Sequence, residues 1–275
     1  MPELPEVETV RQTLRRNILG KTIKEITVLY ERMIVGLSKD EFINKLVGKK
    51  IIEIGRLGKY LFFELSEEIY LISHLRMEGK YFIKPSSDEV VKHEHIIFHF
   101  DDGISLRYAD VRKFGTMEIK SKEELFTTHP LASLGVEANM LTKEYLKEKM
   151  LGRHRELKAF LLDQSMIAGI GNIYADEICY SANLNPKQDI YYLTDIDYEN
   201  ISVAAKEVIE KAILAGGTTI RSYTSSLGVT GLFQLQLNVH TKANEACMRC
   251  GNLIIKTRVN GRGTYICENC QKIKS

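Results

Sequence analysis

The sequence has 275 residues but no apolar run of about 18 residues, the length that a bilayer-spanning helix needs. Its opening residues lack the basic cluster and apolar stretch of a secretory signal, because Glu3, Glu6 and Glu8 stand there instead. Neither an internal repeat nor a low-complexity tract is present. These absences argue against a transmembrane or repeat protein, and we expect a globular protein in the cytoplasm that binds no membrane.

The net charge is only +2, but it is unevenly distributed along the chain. Residues 241–275 contain seven Lys and Arg against two Glu, so this segment carries +5 and the remainder −3. A cationic segment on a near-neutral body indicates contact with a polyanion. A solvated basic terminus would show the same composition, so the charge alone leaves both interpretations open.

Cysteine is scarce, and four of the five cysteines form two Cys-x2-Cys pairs: Cys247, Cys250, Cys267 and Cys270. This spacing predicts one structural zinc ion held tetrahedrally by four thiolates. Two disulfides are the alternative, which a cytoplasmic location disfavours. Because sulfur fills all four positions, no site remains for an activated water, and the chemistry must lie elsewhere. The fifth cysteine, Cys179, lies on a predicted helix and is expected to be a buried, inert thiol.

The first half of the chain is rich in predicted strands. A helix begins near Pro5 and ends at Gly20, since apolar residues recur between them at three- and four-residue spacing. Short strands are predicted at 23–29, 51–54, 60–65, 69–75, 81–83, 95–100 and 104–108. Asp102-Gly103 separates the last two as a hairpin turn. Many short strands joined by turns favour an antiparallel sandwich or barrel.

The pattern becomes helical after residues 127–139. Helices are predicted at 142–150, 156–163, 172–182 and 197–215, followed by a loop rich in Ser, Thr and Gly and by the cysteine-bearing tail. We therefore predict a two-domain α+β protein with an N-terminal antiparallel β-sandwich and flanking helices at 1–130. The helical segment spans 131–240, and the zinc finger spans 241–275.

The N-terminus offers a reactive group if Met1 is removed, which a small second residue permits. The secondary amine of Pro2 would then be free, and an α-amine titrates near pH ~8 whereas lysine titrates near ~10.4. Attack of this amine on a sugar C1′ would give an iminium directly, and Glu3 could shuttle protons. Proline and glutamate also suit a helix start, so these residues alone leave both interpretations open.

Six motifs in order resemble those of the formamidopyrimidine-DNA glycosylase family of bifunctional glycosylase/AP lyases, and together they cover essentially the whole chain. The motifs are MPELPEVETV at 1–10, GKY at 58–60, HLRMEG at 74–79, YADVRKFG at 108–115, GIGNIY at 169–174, and the four-cysteine finger with Arg262. The resemblance implies a helix–two-turn–helix before the finger and a monomer without a nucleotide cofactor. It also implies that the loop at 218–231 closes over a flipped base.

The resemblance implies a base-excision-repair enzyme that acts on damaged double-stranded DNA. It would remove oxidised purines, namely 8-oxoguanine and formamidopyrimidines, and then nick the strand by β- and δ-elimination. The implied catalytic residues are Pro2 as nucleophile, Glu3 as the catalytic carboxylate, Lys59 near the active site and a DNA phosphate, and Arg262 on a phosphate.

The resemblance also implies that Met77, Arg112 and Phe114 enter the DNA. An enzyme that flips a nucleotide out leaves a gap, which apolar wedges and a hydrogen-bond donor can fill. Without the resemblance, a lone Met or Phe is more simply a core residue, although nearby Gly79 and Gly115 suggest exposed loop tips. The remaining residues expected at the DNA are Glu6, His74, Lys158 and Asn172.

Two alternatives stay open, an endonuclease VIII-like enzyme for oxidised pyrimidines and a non-enzymatic DNA-binding protein. The MPELPEVETV opening argues against the first, and the presence of Pro2, Glu3 and Lys59 against the second. The sequence departs from the family pattern at 240–247, where most relatives carry Tyr, Gly and Pro, and at 134–138, which lacks the usual prolines. Both departures put the local linker geometry in doubt rather than the chemistry.

Overall fold

A computed structural model describes residues 1–218 and 232–274. The protein divides into two compact units. The first comprises Met1–Ala132 with the described residues of Gly216–Leu232, and the second comprises Ser133–Ala215 with the described residues of Phe233–Ser275. The finger and the helices thus share one unit, while the boundaries at 1–130, 131–240 and 241–275 stay predictions. Within the described ranges, no helix combines the length and apolarity needed to cross a bilayer.

The first unit opens with helix α1 (Leu4–Ile18), which confirms the predicted helix. Pro5 lies in its first turn, where a missing N–H costs nothing. One face is fully buried and packs on the neighbouring strands: Val7, Val10, Leu14 and Ile18. Gly20 follows with φ +79, a conformation that side chains disfavour, and it ends the helix.

Two sheets and two further helices follow α1 in the first unit. The helices are α2 (Lys39–Leu46) and α3 (Lys122–Leu125). The strands are β1 (Ile23–Val28), β2 (Ile34–Val35), β3 (Ile51–Leu57), β4 (Tyr60–Leu65), β5 (Ile69–His74), β6 (Lys80–Pro85), β7 (Glu94–Phe100), β8 (Ile104–Ala109) and β9 (Thr116–Ser121). Among the described residues, one sheet has the order β1-β7-β8-β6 and the other β2-β9-β5-β4-β3. All pairs are antiparallel except β2 with β9.

The core of the first unit lies between the two sheets. Phe63 and Leu71 from one sheet are buried together with Phe98 and Leu106 from the other. Burying each such side chain contributes about 1.5–3 kcal/mol, so this apolar layer holds the sheets face to face. The predicted antiparallel sandwich is confirmed.

Four helices and strands of this unit were not predicted, namely β2, α2, β9 and α3. Helix α2 carries a capping box in which the Ser38 hydroxyl accepts from the Glu41 amide, a sequence signal that was available. Strand β9 has only two apolar residues, Met117 and Ile119, yet it pairs with strands on both sides. Its position comes from these non-local pairings, which no local pattern reveals.

The second unit is built on helices. It contains β10 (Val136–Glu137), α4 (Lys143–Met150), α5 (Leu157–Leu161), β11 (Ile167–Ala168), α6 (Asn172–Ser181), α7 (Asp195–Leu214), and the hairpin of β12 (Ile255–Val259) and β13 (Arg262–Ile266). The four predicted helices are confirmed with small differences at their ends. The finger packs on α6 through a cluster that includes Tyr180, Val239 and Ile254. Of the predicted loop at 218–231, only Thr218 falls within the described residues.

One buried ion pair shapes the loop between β6 and β7. Arg107 on β8 is fully buried and contacts Glu94 at 3.0 Å. Its other hydrogen bonds go to the Ser105 hydroxyl and to three carbonyls, that of Pro85 at the end of β6 and those of Asp88 and Glu89 in the loop. All five guanidinium donors are therefore used, which allows a charged group to stay in the interior.

We predict that Glu94→Gln lowers the free energy of unfolding by about 3 kcal/mol, because it leaves the buried guanidinium uncompensated. Glu68→Gln is the matched control, since its ion pair with Lys122 is exposed at both partners and contributes little. Urea denaturation of both variants measures the difference. Equal losses in the two variants would contradict the structural role given to Arg107.

Candidate functional site

The start of α1 brings Pro2, Glu3 and Glu6 together. Pro2 and Glu3 are buried, and Glu3 is the residue that precedes the helix. The Glu3 amide donates to Glu6 Oε2 at 2.8 Å, which fixes the backbone between the proline and the first helical turn. Once Met1 is removed, the Pro2 amine would thus lie beside the Glu3 carboxylate, on a backbone that Glu6 holds in place.

The second oxygen of Glu6 contacts the start of the predicted loop. Glu6 Oε1 accepts from the Thr218 amide at 2.7 Å and from its hydroxyl at 3.1 Å. Gly217 precedes it with φ +77, and a Cβ there would lie 2.7 Å from Glu6 Oε1. Only glycine therefore permits this close approach. One carboxylate joins the backbone next to Pro2 to the residue where the loop begins.

Glu8 organises the turn that carries Lys59. Burial disfavours its charge, but hydrogen bonds from Arg11, Gln12 and Arg56 outweigh burial and lower the pKa of Glu8 to about 2. Arg56 donates from Nε to Glu8 at 3.0 Å and from Nη1 to the Gly58 carbonyl at 3.0 Å. Lys59 follows Gly58 in the two-residue turn between β3 and β4 and is 5% exposed.

His74 lies at the end of β5 with its ring against Tyr60, at 4.4 Å between centroids. Burial, reinforced by the charges of Arg76 and Lys59, lowers the pKa of His74 to about 3. The ring is therefore neutral near pH 7. Since Nδ1 accepts from the Arg76 amide at 2.9 Å, the hydrogen resides on Nε2, which can donate to a ligand.

Asp110 shapes the loop that presents Arg112 and Phe114. It is buried at the end of β8 and accepts from the amides of Arg112, Phe114 and Gly115, each at 2.9 Å. Phe114 is 52% exposed, and the Arg112 guanidinium lies 4.8 Å from its ring centroid. Met77 is 39% exposed. These are surface residues, so the interpretation of Met77 and Phe114 as core residues is wrong.

The loops that carry Met77 and Phe114 meet at Tyr108. A Cβ on Gly79 would lie 2.2 Å from the Tyr108 hydroxyl, and one on Gly115 would lie 1.6 Å from it. Both glycines are buried rather than at exposed tips. They are needed because two backbones approach the same tyrosine, which sets the two loops side by side.

In the second unit, a network behind the finger hairpin contains Lys158 and Asn172. Lys158 is fully buried and donates to Asp176 at 2.7 Å, to the Gly263 carbonyl at 3.0 Å and to the Thr264 hydroxyl at 2.9 Å. Asn172, the first residue of α6, donates from Nδ2 to the same Gly263 carbonyl at 3.0 Å. The three donors of the lysine are thus used within this unit.

Arg262 is exposed at the tip of the finger hairpin, next to Gly263. Asn260 and Gly261 form the two-residue turn that precedes it, both with positive φ, the geometry that matches the twist of paired strands. The hairpin therefore presents Arg262 to solvent from a backbone that is held by Lys158 and Asn172.

The four finger cysteines form one cluster. Their Sγ atoms all lie within 4.8 Å of one another, with 3.9 Å between Cys247 and Cys270 and 3.5 Å between Cys250 and Cys267. These distances are too long for disulfides, and all four are free thiols. The arrangement fits a metal site. Cys179 is buried elsewhere on α6, as predicted for an inert thiol, and burial raises its pKa well above the usual range.

Comparison with known proteins covers the whole chain. The formamidopyrimidine-DNA glycosylase N-terminal domain matches residues 1–117, the H2TH domain of the same enzymes matches 134–224, and the zinc finger found in FPG and IleRS matches 244–273. The formamidopyrimidine-DNA glycosylases of Ligilactobacillus salivarius (strain UCC118) and Bacillus subtilis (strain 168) are 46% and 44% identical, with complete coverage of both chains. The chain belongs to the formamidopyrimidine-DNA glycosylase family.

A solved structure agrees with this assignment. The Lactococcus lactis Fpg, in complex with DNA that contains an abasic site, superimposes with a TM-score of 0.93 and is 40% identical, covering 98% of this chain and 99% of that one. The predicted family, the two-domain α+β fold and the enzyme class, a DNA glycosylase for formamidopyrimidine lesions, are therefore confirmed.

Sequence reasoning missed two residues that hold the candidate site, Asp110 and Arg56. Both lie within or beside the motifs, but neither was identified as a residue that holds a loop. Asp110 precedes a turn that ends in glycine, and an aspartate that accepts from amides two residues onward is a known turn signal. For Arg56 and its partner Glu8, no local signal exists, because they are far apart in sequence.

The low pKa of His74 predicts a pH-dependent stability. An unfolded histidine titrates near ~6.5, so between this value and about 3 the unfolded state binds more protons, and stability falls as pH drops through that window. We expect the melting temperature of His74→Gln to fall less than that of the wild type when the pH is lowered from about 7 to about 5. If lowering the pH reduces the melting temperatures of the two proteins by the same amount, His74 does not titrate as described.

Proposed function

We propose that this chain excises 8-oxoguanine and formamidopyrimidines from duplex DNA through a Schiff base on Pro2 and then nicks the strand. The arrangement at the start of α1 carries the proposal, because Pro2 lies beside buried Glu3 on a backbone that Glu6 holds. The Lactococcus lactis protein was solved with DNA that contains an N7-benzyl-Fapy-dG, and we extend this lesion class to the present chain.

The proposed reaction begins when removal of Met1 frees the Pro2 amine. The Pro2 nitrogen attacks C1′ of the everted nucleotide, and the glycosidic bond between C1′ and the base nitrogen breaks. The base leaves with the electron pair of that bond and takes a proton from solvent. The amine proton passes through Glu3 to O4′ as the sugar ring opens, giving an iminium. Loss of a C2′ proton then breaks the C3′–O bond and expels the 3′ phosphate. Loss of the C4′ proton breaks the C5′–O bond and expels the 5′ phosphate, and water hydrolyses the remaining iminium to release the Pro2 amine.

The phosphate contacts are assigned from charge, from hydrogen-bond donors and from the roles that the family resemblance implies. We assign Lys59 and Arg262 to phosphates that flank the lesion, and His74 to a further phosphate through its neutral Nε2–H. Asn172 would offer the amides of the α6 N-terminus, where the helix dipole favours an anion. Lys158 stays a predicted DNA contact, but its burial favours an indirect action through Gly263.

The exposed side chains of the first unit would fill the gap left by the flipped nucleotide. Met77 and Phe114 supply the apolar wedges, and Arg112 supplies hydrogen bonds to the orphaned base. The support is that all three are exposed on two loops that Tyr108 sets side by side. The loop at 218–231 stays the predicted cover of the everted base.

We infer that the metal of the finger is one zinc ion with a structural role. Zinc–thiolate bonds of about 2.3 Å in a tetrahedron place the sulfurs about 3.8 Å apart. The sulfur distances of 3.5 Å and 3.9 Å agree with this value. Bound zinc would stabilise the folded finger. The proton transfers and the breaking of bonds would be carried out by residues of the first unit. A monomer without a nucleotide cofactor, located in the cytoplasm, stays part of this proposal.

Borohydride trapping tests the proposed activity. The wild-type protein should form a covalent adduct with a duplex that contains 8-oxoguanine, because borohydride reduces the iminium. We expect Pro2→Gly and Glu3→Gln to lower base excision at least about a hundredfold, the usual size of a nucleophilic or acid–base contribution, while lesion binding largely survives. Full excision by either variant would refute the mechanism.

The same trapping experiment separates the alternatives. An endonuclease VIII-like enzyme would trap an oxidised pyrimidine in preference to 8-oxoguanine, and a non-enzymatic protein would bind both duplexes without an adduct. A Glu245→Gln variant is the control, since this exposed finger residue lies outside the proposed chemistry and should trap like the wild type.

Zinc binding is tested by elemental analysis of two Cys→Ala variants. Cys250→Ala should lose most of its zinc and bind duplex DNA more weakly, because an incomplete thiolate set no longer folds the finger. Cys179→Ala, a thiol of the same unit outside the cluster, should keep one zinc per chain. Active wild-type protein without zinc would disprove the structural metal.

A further inference from the structure

Asp176 on α6 lies at the centre of a buried network behind the finger hairpin. Its side chain is fully buried and contacts Lys158 Nζ through Oδ1 at 2.7 Å and His240 Nδ1 through Oδ2 at 2.7 Å. The Tyr265 amide donates to the same Oδ2 at 3.3 Å. Because a carboxylate only accepts, the hydrogen of the His240 ring that faces it resides on Nδ1.

The network ends on a single backbone carbonyl, that of Gly263. Lys158 and Asn172 each donate to this oxygen at 3.0 Å, and Gly263 is the residue after Arg262. The carbonyl therefore joins the tip of the finger hairpin to the first residue of α6. These are the two places that the proposed function assigns to DNA phosphates.

We propose that Asp176, held by His240, is a positioning residue that fixes Arg262 and Asn172 as one phosphate-binding surface. Asp176 and Lys158 are both 0% exposed, so neither side chain reaches DNA directly in this arrangement. A buried ammonium keeps its charge and direction only with a compensating partner, and Asp176 is that partner. Without it, Lys158 would lose the geometry that holds Gly263.

His240 is the member of this network that lies in the segment departing from the family pattern. Its ring is nevertheless buried, with 5.0 Å between its centroid and that of Tyr265. The His240 and Val239 amides both donate to Glu177 Oε1 at 2.9 Å, which anchors the segment to α6 next to Asp176. His240 thus donates a hydrogen bond to the Asp176 carboxylate, on which the position of Lys158 depends.

A double-mutant cycle between Asp176→Asn and Arg262→Ala tests the inference. The readout is the affinity for a duplex with a tetrahydrofuran abasic analogue, measured over a salt series. Each single variant should weaken binding about tenfold and reduce the salt slope by about one unit, the change for one lost phosphate contact. If Asp176 acts through Arg262 and Asn172, Asp176→Asn should weaken the Arg262→Ala protein clearly less than it weakens the wild type, and the loss that remains is the share carried by Asn172. Additive losses with independent salt slopes would overturn the proposal.

Two further variants exclude a general loss of structure. Asp195→Asn is the matched control, because this carboxylate of the same unit pairs with Lys143 and Lys147 at the surface and should leave affinity and salt slope unchanged. His240→Ala should show a smaller loss that His240→Asn restores, since an amide N–H can replace Nδ1–H. Zinc content and melting temperature are measured for every variant. If Asp176→Asn fails to fold, His240→Ala and His240→Asn take its place in the cycle with Arg262→Ala.

The inference rests on the proposed function, and the two fail in different ways. Asp176→Asn should act mainly on affinity, so that the loss of base release at limiting enzyme exceeds the loss of the single-turnover rate at saturating enzyme. A variant with wild-type affinity and a slower single-turnover rate would overturn the positioning role while leaving the glycosylase assignment intact. Absence of excision and trapping in the wild type would instead refute the proposed function itself.

Discussion

Buried carboxylates that accept several hydrogen bonds at once hold each part of the site in place. Glu6 gathers the Glu3 and Thr218 amides, Asp110 gathers three amides of its own loop, and Asp176 gathers donors from three segments. A desolvated carboxylate is costly unless its lone pairs are filled, so the donors cannot leave without a large penalty. The backbone around each carboxylate is therefore determined by the need to satisfy one charge.

This constraint separates the residues that hold the site from those that would meet the DNA. The exposed group includes Phe114 and Arg262, which stand on loops or hairpin tips, whereas their supports, Asp110 and Asp176, are buried. Rigid supports reduce the entropy that is lost when an exposed side chain is ordered by a ligand. Under the proposed function, the scaffold would provide preorganised DNA contacts with few residues at the surface.

Sequence reasoning reached the α+β fold, the cysteine cluster and the family, because these depend on local periodicity and on motifs with fixed spacing. It placed α1 and the later helices well for the same reason. It did not predict β9, whose pairing partners are distant in sequence, nor the role of Arg56, which meets Glu8 only in the folded state. The burial of Lys158 was equally inaccessible, since a lysine in a sequence carries no sign of its partner.

The shared contact of Gly79 and Gly115 with Tyr108 has an evolutionary consequence. Neither glycine can gain a side chain while the tyrosine ring keeps its position, because the added carbon would overlap the phenol. A smaller residue at 108 would have to come first, and it would leave a hole beneath both loops until a bulkier residue arose at 115. At 79 the Leu75 carbonyl, 2.6 Å from the added carbon, would still exclude a side chain. Positions 108 and 115 are therefore expected to drift as a pair among relatives, with the intermediate single changes rarely surviving.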